Sequence, residues 1–391
     1  MIDFAPYRRR EFSLSAARSL VQDCFQVRPA IYWTDFLFSY GLGIYCYQQV
    51  RGGSMLVPHQ GFTGQPWQAV CFFVSCLCFY RVALFIHELV HQRTSELRVF
   101  RFVWNLTCGI PFLMPTFVYY SHIDHHRRAH YGTQQDGEYL PMVHRRPWYV
   151  LYYLSWSFLI PIAVVFRFMV LTPLAWMSRR GRRWVHRHAS SMVMDPSYIR
   201  PLPSASTLRI IRIQELGCFL WCWGIAVLPP VLLHRTALAF AVHAYLSAVV
   251  IILLNSLRTL GSHRWANAGG EMTFVEQLLD SVNYPHHGLT AELWAPIGCR
   301  YHALHHLFPS MPYHQMKRAH RILMDRLPQD SPYRATNARS LPAAIVQLLR
   351  EQLRMMDPQH AQAAQAIPAR PSTHRPEMAQ RRRGISTNPT K

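Results

Sequence analysis

Charge is scarce in this chain, and lysine is almost absent from it. Of 391 residues, 16% are Asp, Glu, Lys or Arg, while 50% are hydrophobic and 13% aromatic. Acidic residues number 20 against 41 basic ones, and lysine occurs only at Lys317 and Lys391. The formal net charge of +21 is therefore an arginine charge. Nucleic-acid binding is one reading of so basic a chain. It is set aside, because the arginines flank apolar stretches instead of forming a polar domain of their own. Cysteine has no C-x-x-C pair: the nine residues, Cys71, Cys76 and Cys78 among them, are scattered through apolar stretches. They read as small buried hydrophobes in a reduced setting. A secretory signal is lacking too, since residues 1–30 are polar and arginine-rich with no small-residue cleavage site.

Histidine is what the chain has in unusual pattern. The motif H-x-x-H-H occurs twice, at His122/His125/His126 and His302/His305/His306, and His87-Glu88-Leu89-Val90-His91 precedes both. With 22 histidines in the chain, chance gives about 0.07 copies of such a template in this length. On a helix, positions i, i+3 and i+4 project from one side. Each triplet can therefore offer three imidazoles to one point. Clustered imidazoles without thiolates suit a first-row metal such as iron, with zinc and copper less favoured.

Four apolar stretches, 31–48, 67–86, 216–233 and 237–254, approach the roughly 17–25 helical residues that a bilayer requires. The last two are joined only by His234-Arg235-Thr236. This predicts an all-α integral membrane protein with four transmembrane helices in two hairpins, against the alternative of a soluble protein with buried helices. Asp35 and Arg81, inside the first two spans, need partners or a route to the interface. The loop 51–66 holds a single arginine, so the charge rule places it and 234–236 outside, with both termini and the long central segment cytoplasmic. Residues 148–176 are apolar but interrupted by Pro161, Arg167 and Pro173. A single crossing there would put Arg179-Arg180-Gly181-Arg182-Arg183 outside. The segment is read instead as lying in, or dipping into, the cytoplasmic leaflet, as is 103–120 with Gly109, Pro111 and Pro115. With that topology every histidine cluster falls on one side, in a cytoplasmic cap.

These motifs resemble the membrane fatty acid desaturase superfamily, in which three histidine boxes hold a non-haem di-iron centre. His87–His91, His122–His126 and His302–His306 correspond to the boxes, and Asn255 to Arg264 resembles the stretch that supplies an additional ligand, here His263. The similarity spans about residues 31–320. It implies two iron ions held by His87, His91, His122, His125, His126, His263, His302, His305 and His306, with O2 as co-substrate and no further catalytic residue. It also implies introduction of a double bond into a fatty acyl chain of a lipid or acyl thioester. A hydroxylase of the same superfamily is the alternative, since the boxes are shared. The first box is shorter than the H-x-x-x-x-H of acyl-CoA desaturases. No H-P-G-G signature of a fused cytochrome b5 occurs, so a separate donor, a ferredoxin or free cytochrome b5, is expected to deliver the two electrons.

The chemistry asks for more than ligands. Carboxylates beside the imidazoles fix each ring's tautomer, and Glu88, Asp124, Asp136 and Glu138 are the nearby acids. For Asp136 and Glu138 pairing with arginine is the expected role. A saturated chain offers no polar handle, so specificity calls for a long apolar channel. His130, one turn from His126, stays outside the ligand set, as does His144. His314 and His320 fall in an amphipathic basic segment read as a surface helix, and His286 and His287 in a solvated loop. His234 and His243 are read as structural. Two rivals remain. His87–His91 also fits the H-E-x-x-H of a zinc metallopeptidase with Glu88 as general base, but that leaves six histidines without a purpose. A metal transporter places its ligands at mid-membrane depth, unlike these. The organisation expected is a cytoplasmic segment 1–30, a membrane domain 31–320, a helical extension 321–356 and a disordered basic tail 357–391, whose Arg381-Arg382-Arg383 reads as a solvated charge run, with contact to anionic lipid head groups the alternative.

Overall fold

A computed structural model of the chain describes residues 12–50, 64–234 and 237–357. The readings of residues 1–11, of the outer loop up to residue 63, of the turn at Arg235 and Thr236, and of the tail from residue 358 fall outside them. Among the described residues there is no strand, only helices, turns and isolated bridges.

Helix α1 (Leu14–Leu20) starts at Ser13, whose hydroxyl accepts from the Ala16 amide. Helices α2 (Pro29–Gln49) and α3 (Pro66–Ala83) each begin on proline, whose ring presets the first helical turn. Helix α4 (Phe85–His91) prolongs α3, so that Pro66–His91 is one 26-residue stretch. The contacts of α2 with α3 and α4 run in reverse order, as in an antiparallel pair. Gln68 donates to the Val50 carbonyl at 2.9 Å, Arg81 clasps Asp35, and the Tyr32 hydroxyl donates to Glu88 at 2.5 Å. Gly43 permits the close approach, because a Cβ there would stand 2.7 Å from the Phe79 ring. Asp35 and Arg81 answer each other: Nε and Nη2 of Arg81 reach the two carboxylate oxygens at 2.7 and 2.6 Å, and the Tyr313 hydroxyl adds a third bond at 2.8 Å. This is the bidentate geometry that compensates best for desolvation.

Helix α5 (Arg98–Trp104) passes into a π turn ending at Gly109, and α6 (His122–His125) is a single turn. Next come α7 (Trp148–Phe166), α8 (Thr172–Met177) and α9 (Arg179–His188). Among the described residues, four helical stretches are long and apolar enough to cross a membrane: Pro66–His91, Trp148–Met177, Ala205–Leu232 and Leu238–Ser262. Three coincide with expected spans, but the remaining one is 148–177 in place of 31–48. Helix α2 has 21 residues, yet its Asp35, glutamines, serine and tyrosines keep it less apolar. The presumed interruptions of 148–176 do not break the helical path. A π turn at Arg167–Leu171 absorbs the irregularity, and Pro173 falls in the first turn of α8. Arg167 is buried and satisfied: it donates to the Ala189 carbonyl and to Thr172, each at 2.6 Å, and pairs with Glu215. Val150, near the start of this stretch, packs in the cluster with Leu260 and Trp265, and Arg167, within it, is tied to Ala189 and Ser190.

Helices α10 (Ala205–Leu233) and α11 (Leu238–Ser262) follow each other closely in sequence but pack on different neighbours. Helix α11 lies along α3 and α7, whereas α10 meets the π turn at Arg167–Leu171. The remaining helices are α12 (Phe274–Asp280), α13 (Gly288–Trp294), α14 (His302–Leu307), α15 (Tyr313–Arg326) and α16 (Leu341–Met355). Helices α12 and α15 pack on α14, α1 packs on α15, and α13 and α16 pack on α11. Helix α15 turns Met316, Ala319, His320 and Leu323 inward. His320 is thus buried, bonded to the Tyr333 hydroxyl at 2.8 Å, and not a surface residue. The expectation failed because an amphipathic pattern does not tell which face a histidine joins.

The Asp35–Arg81 pair yields a stability test. Asp35→Ala leaves Arg81 with only its longer, more exposed contact to Glu292 at 3.3 Å and is expected to cost about 2 kcal/mol. The double change Asp35→Ala, Arg81→Met should recover much of that loss in thermal unfolding of the detergent-solubilised protein.

Candidate metal centre

Short elements bring the histidine boxes together. Helix α4 carries His87 and His91 one turn apart on the end of the long Pro66–His91 stretch. The one-turn α6 carries the second box, entered through a 3-10 turn at Thr116–Tyr119 that follows Pro115. Helix α14 carries the third. His263 stands just past α11 in extended conformation and is held by a bridge to Ser281: the Arg264 amide donates to the Asp280 carbonyl at 2.7 Å and the Val282 amide to the Ser262 carbonyl at 3.0 Å. The same short segment anchors α14, since the Asn283 side chain accepts from the Leu304 amide at 3.1 Å. Residues 280–283 thereby fix His263 and the third box relative to each other.

Eight of the nine sequence-identified histidines form two groups of four. His87, His91, His122 and His305 make one, His125, His263, His302 and His306 the other, and in each the four ring nitrogens lie within 4.8 Å of one another. His126 joins the groups. Its Nε2 is 3.0 Å from the Nε2 atoms of both His122 and His305, and its ring stacks on His306 with centroids 4.3 Å apart. His263 and His302 approach to 2.8 Å, His302 and His306 to 3.1 Å. Such separations suit nitrogens that share one cation, each about 2.1 Å from it.

The hydrogen-bond inventory fits the same reading. Both ring nitrogens of His87, Nε2 of His91, and Nδ1 of His126, His302 and His305 are buried without a partner. The orphaned nitrogens of His87 and His91 belong to one group of four, where an ion would satisfy them. The other rings are oriented from behind. His122 Nδ1 is 2.8 Å from Glu138, and His125 Nδ1 is 2.8 Å from Asp136, which also accepts from the Gly132 and Glu138 amides. These two acids pair with histidine, not with arginine as expected. Sequence distance misled: the loop after α6 folds straight back onto it, which puts the acids out of reach of the surface arginines. Asp124 instead accepts from Tyr198 and Arg127. His263 has an indirect support, a Tyr131 hydroxyl 2.8 Å from its Nδ1 and 2.8 Å from the buried Asp280.

Tyr131 and Asp280 escaped the sequence reading. A lone acid in the apolar run Leu278-Leu279-Asp280-Ser281-Val282 was the available signal. Tyr131 carried none. His130, His144, His286, His287, His314 and His320 belong to neither group of four, and His243 stacks on Tyr47 at 3.8 Å. Glu88, the base demanded by a peptidase, is bonded to Tyr32 and Gln92 and points away from the rings.

Electrostatics keeps the rings ready to bind. Burial, with neighbouring imidazoles adding to it, holds His122, His126, His302, His305 and His306 well below the ordinary histidine range. Neutral imidazole is the ligating form. His125 differs: burial pulls it down, but the Asp136 carboxylate outweighs burial and raises it. Asp136 is correspondingly held below the usual carboxylate range against the upward push of burial. Burial pushes Glu138 up to about 8. Glu138 must be ionised to accept from a ligating His122, so metal loading at pH 7 should release about one extra proton and tighten as pH rises through that value. Glu138→Gln should remove that proton from the calorimetric count. Asp136→Ala should weaken metal binding by roughly 10–100-fold, read as metal per chain after dialysis.

Comparison with known proteins agrees with this centre. The family model described as fatty acid desaturase matches residues 65–337, which include all nine histidines. A ceramide hydroxylase of Caulobacter vibrioides (strain NA1000 / CB15N) is 35% identical over 341 residues, covering 85% of this chain and 92% of that protein. No solved structure matches. Motifs, all-helical membrane architecture and histidine groups coincide with the family match, and the chain belongs to the fatty acid desaturase family.

Proposed function

We propose that this protein is a membrane lipid hydroxylase that inserts one oxygen atom into a C–H bond of a ceramide-type lipid. The observation that carries this reading is the 35% identity to a ceramide hydroxylase along nearly all of that protein's length. The expectation of desaturation gives way to it, because the boxes are common to both reactions and the relative's chemistry is the more specific guide. The nine histidines are proposed to hold two iron ions, one in each group of four, with His126 between them. When bound, that pair supplies the power to activate O2 and attack an unactivated C–H bond. The overall change is R–H + O2 + 2 e⁻ + 2 H⁺ → R–OH + H2O.

The chain's own residues have three tasks in this scheme. Glu138, Asp136 and the Tyr131–Asp280 pair orient His122, His125 and His263 by accepting or relaying their Nδ1 hydrogens. Burial of the rings excludes bulk water, which protects reactive oxygen species from quenching. The apolar outer faces of α7, α10 and α11, with Leu151, Phe158, Leu220 and Val242 exposed, suit a chain whose substrate lives in the bilayer. A separate protein is proposed to deliver the electrons on the cytoplasmic side, where the arginine excess is proposed to attract an acidic donor. Both termini and the histidine centre are proposed to face the cytoplasm, with α2 crossing antiparallel beside α3 and 148–177 entering and leaving on one side.

Expression in a host that contains ceramide, followed by lipid mass spectrometry, tests the reaction. Gain of one oxygen atom in the ceramide pool is the expected result, and loss of two hydrogens without it would restore desaturation. His125→Ala and His305→Ala should each abolish the product and lower iron content. Full iron and turnover in both variants would contradict the ligand assignment. Turnover at fixed low donor concentration should fall as salt is raised, since screening shortens the reach of the steering charge. Labelling of a cysteine at position 181 from the outside only would overturn the proposed sidedness.

A further inference from the structure

Arg258 lies near the end of α11, five residues before His263, and its side chain is buried. Within its own helix the guanidinium donates to Asn255 Oδ1 from Nε at 3.2 Å and from Nη2 at 3.1 Å, and to Thr259 Oγ1 at 3.1 Å, and across to α3 it lies within hydrogen-bonding reach of the Tyr80 hydroxyl. Among the described residues no carboxylate forms an ion pair with it. Two other largely buried arginines in long helical stretches are treated differently, Arg81 being paired with Asp35 and Arg167 with Glu215. The titratable groups near Arg258 include Tyr80, Tyr119, Tyr153, Cys299, Glu138 and His87. Tyr80 turns its own hydrogen to the Trp294 carbonyl at 2.9 Å.

A guanidinium in such a place needs a reason. Taking a cation out of water without an anion costs several kcal/mol, and an ionisable side chain inside a membrane helix marks a functional position by default. Its position narrows the role. Arg258 acts on both halves of the centre: its field adds to the depression of His302, after burial and the neighbouring imidazoles, and it reaches Glu138, the partner of His122. It precedes His263 along α11, which puts it on the apolar-helix side of the rings, about 7–8 Å from His263 along the axis.

We infer that Arg258 is a substrate-positioning residue that receives the carbonyl oxygen at the junction of head group and acyl chain. This rests on the lipid-hydroxylase reading and adds to it a position of attack. An amide carbonyl is a strong acceptor that does not ionise, so it satisfies the forked donor without bringing a second charge into the site. A lipid held there presents the carbons next to its carbonyl, not those of mid-chain, to the two groups of histidines. Hydroxylation therefore falls within the first few carbons from the amide. Asn255 and Thr259 hold the fork in place for it.

The test pairs the enzyme with a substrate change. Iron-loaded enzyme in lipid nanodiscs is supplied with donor, reductant and either a ceramide or its uncharged analogue in which an ether linkage (–O–CH2–) replaces the amide, so that the carbonyl is lost without adding a charge. The wild type is expected to prefer the ceramide by at least about ten-fold in kcat/KM, mainly through KM, and to hydroxylate it near the carbonyl. Arg258→Met should erase that preference and scatter the hydroxyl along the chain with iron content unchanged, while Arg258→Lys should retain part of the selectivity. A wild type that treats both lipids alike, or hydroxylates mid-chain, overturns the inference without need of any variant. Failure of the wild type to oxidise either lipid counts instead against the lipid-hydroxylase reading.

Discussion

Everything in this fold answers to the burial of nine imidazoles in one space. Water cannot satisfy their nitrogens there, and protonation is suppressed by burial and mutual repulsion. The protein must therefore supply a partner for each ring or leave the nitrogen free for a cation. It does both. Three rings are held from behind by Glu138, Asp136 and Tyr131, and several others are left with buried unpaired nitrogens. The two groups of four are the geometric result.

Holding four separate segments to this tolerance explains the surrounding architecture. Helix α4 is fixed because it prolongs α3, which α2 braces through the Asp35–Arg81 pair. Residues 280–283 serve as a common rail for His263 and the third box through backbone bridges and the Asn283 side chain. The loop after α6 returns its own acids to its own histidines. Helix α16 closes the far side, with Gln352 bonded to the Met142 carbonyl at 2.9 Å. These are short-range constraints, and together they let helices on an apolar support carry a precise polar centre.

Local pattern made much of this legible. The i, i+3, i+4 spacing of the boxes identified eight residues that converge, and the unusual count ruled out accident. His263 was reached through its flanking residues, Asn255 to Arg264, and it does stand in the second group. Long apolar runs were equally clear, although 148–177 was read as interrupted. There the deciding facts were tertiary: Arg167 is neutralised by Glu215 and Ala189, and a π turn absorbs the irregularity. Helix α2, expected as a span, is long enough but less apolar than the other candidate stretches.

The sequence by itself determined the ligand chemistry, the all-helical class and the apolar support, because periodicity and residue type act over one or two turns of chain. Only the tertiary structure decided which four histidines share a site, that His126 stands between the groups, and that Asp136 and Glu138 serve histidines. Pairings such as Tyr131 with His263, or Asn283 with Leu304, join residues far apart in the chain. No local signal encodes them. They exist because burial forces each polar atom to find a partner, and the partner within reach is set by how the helices pack.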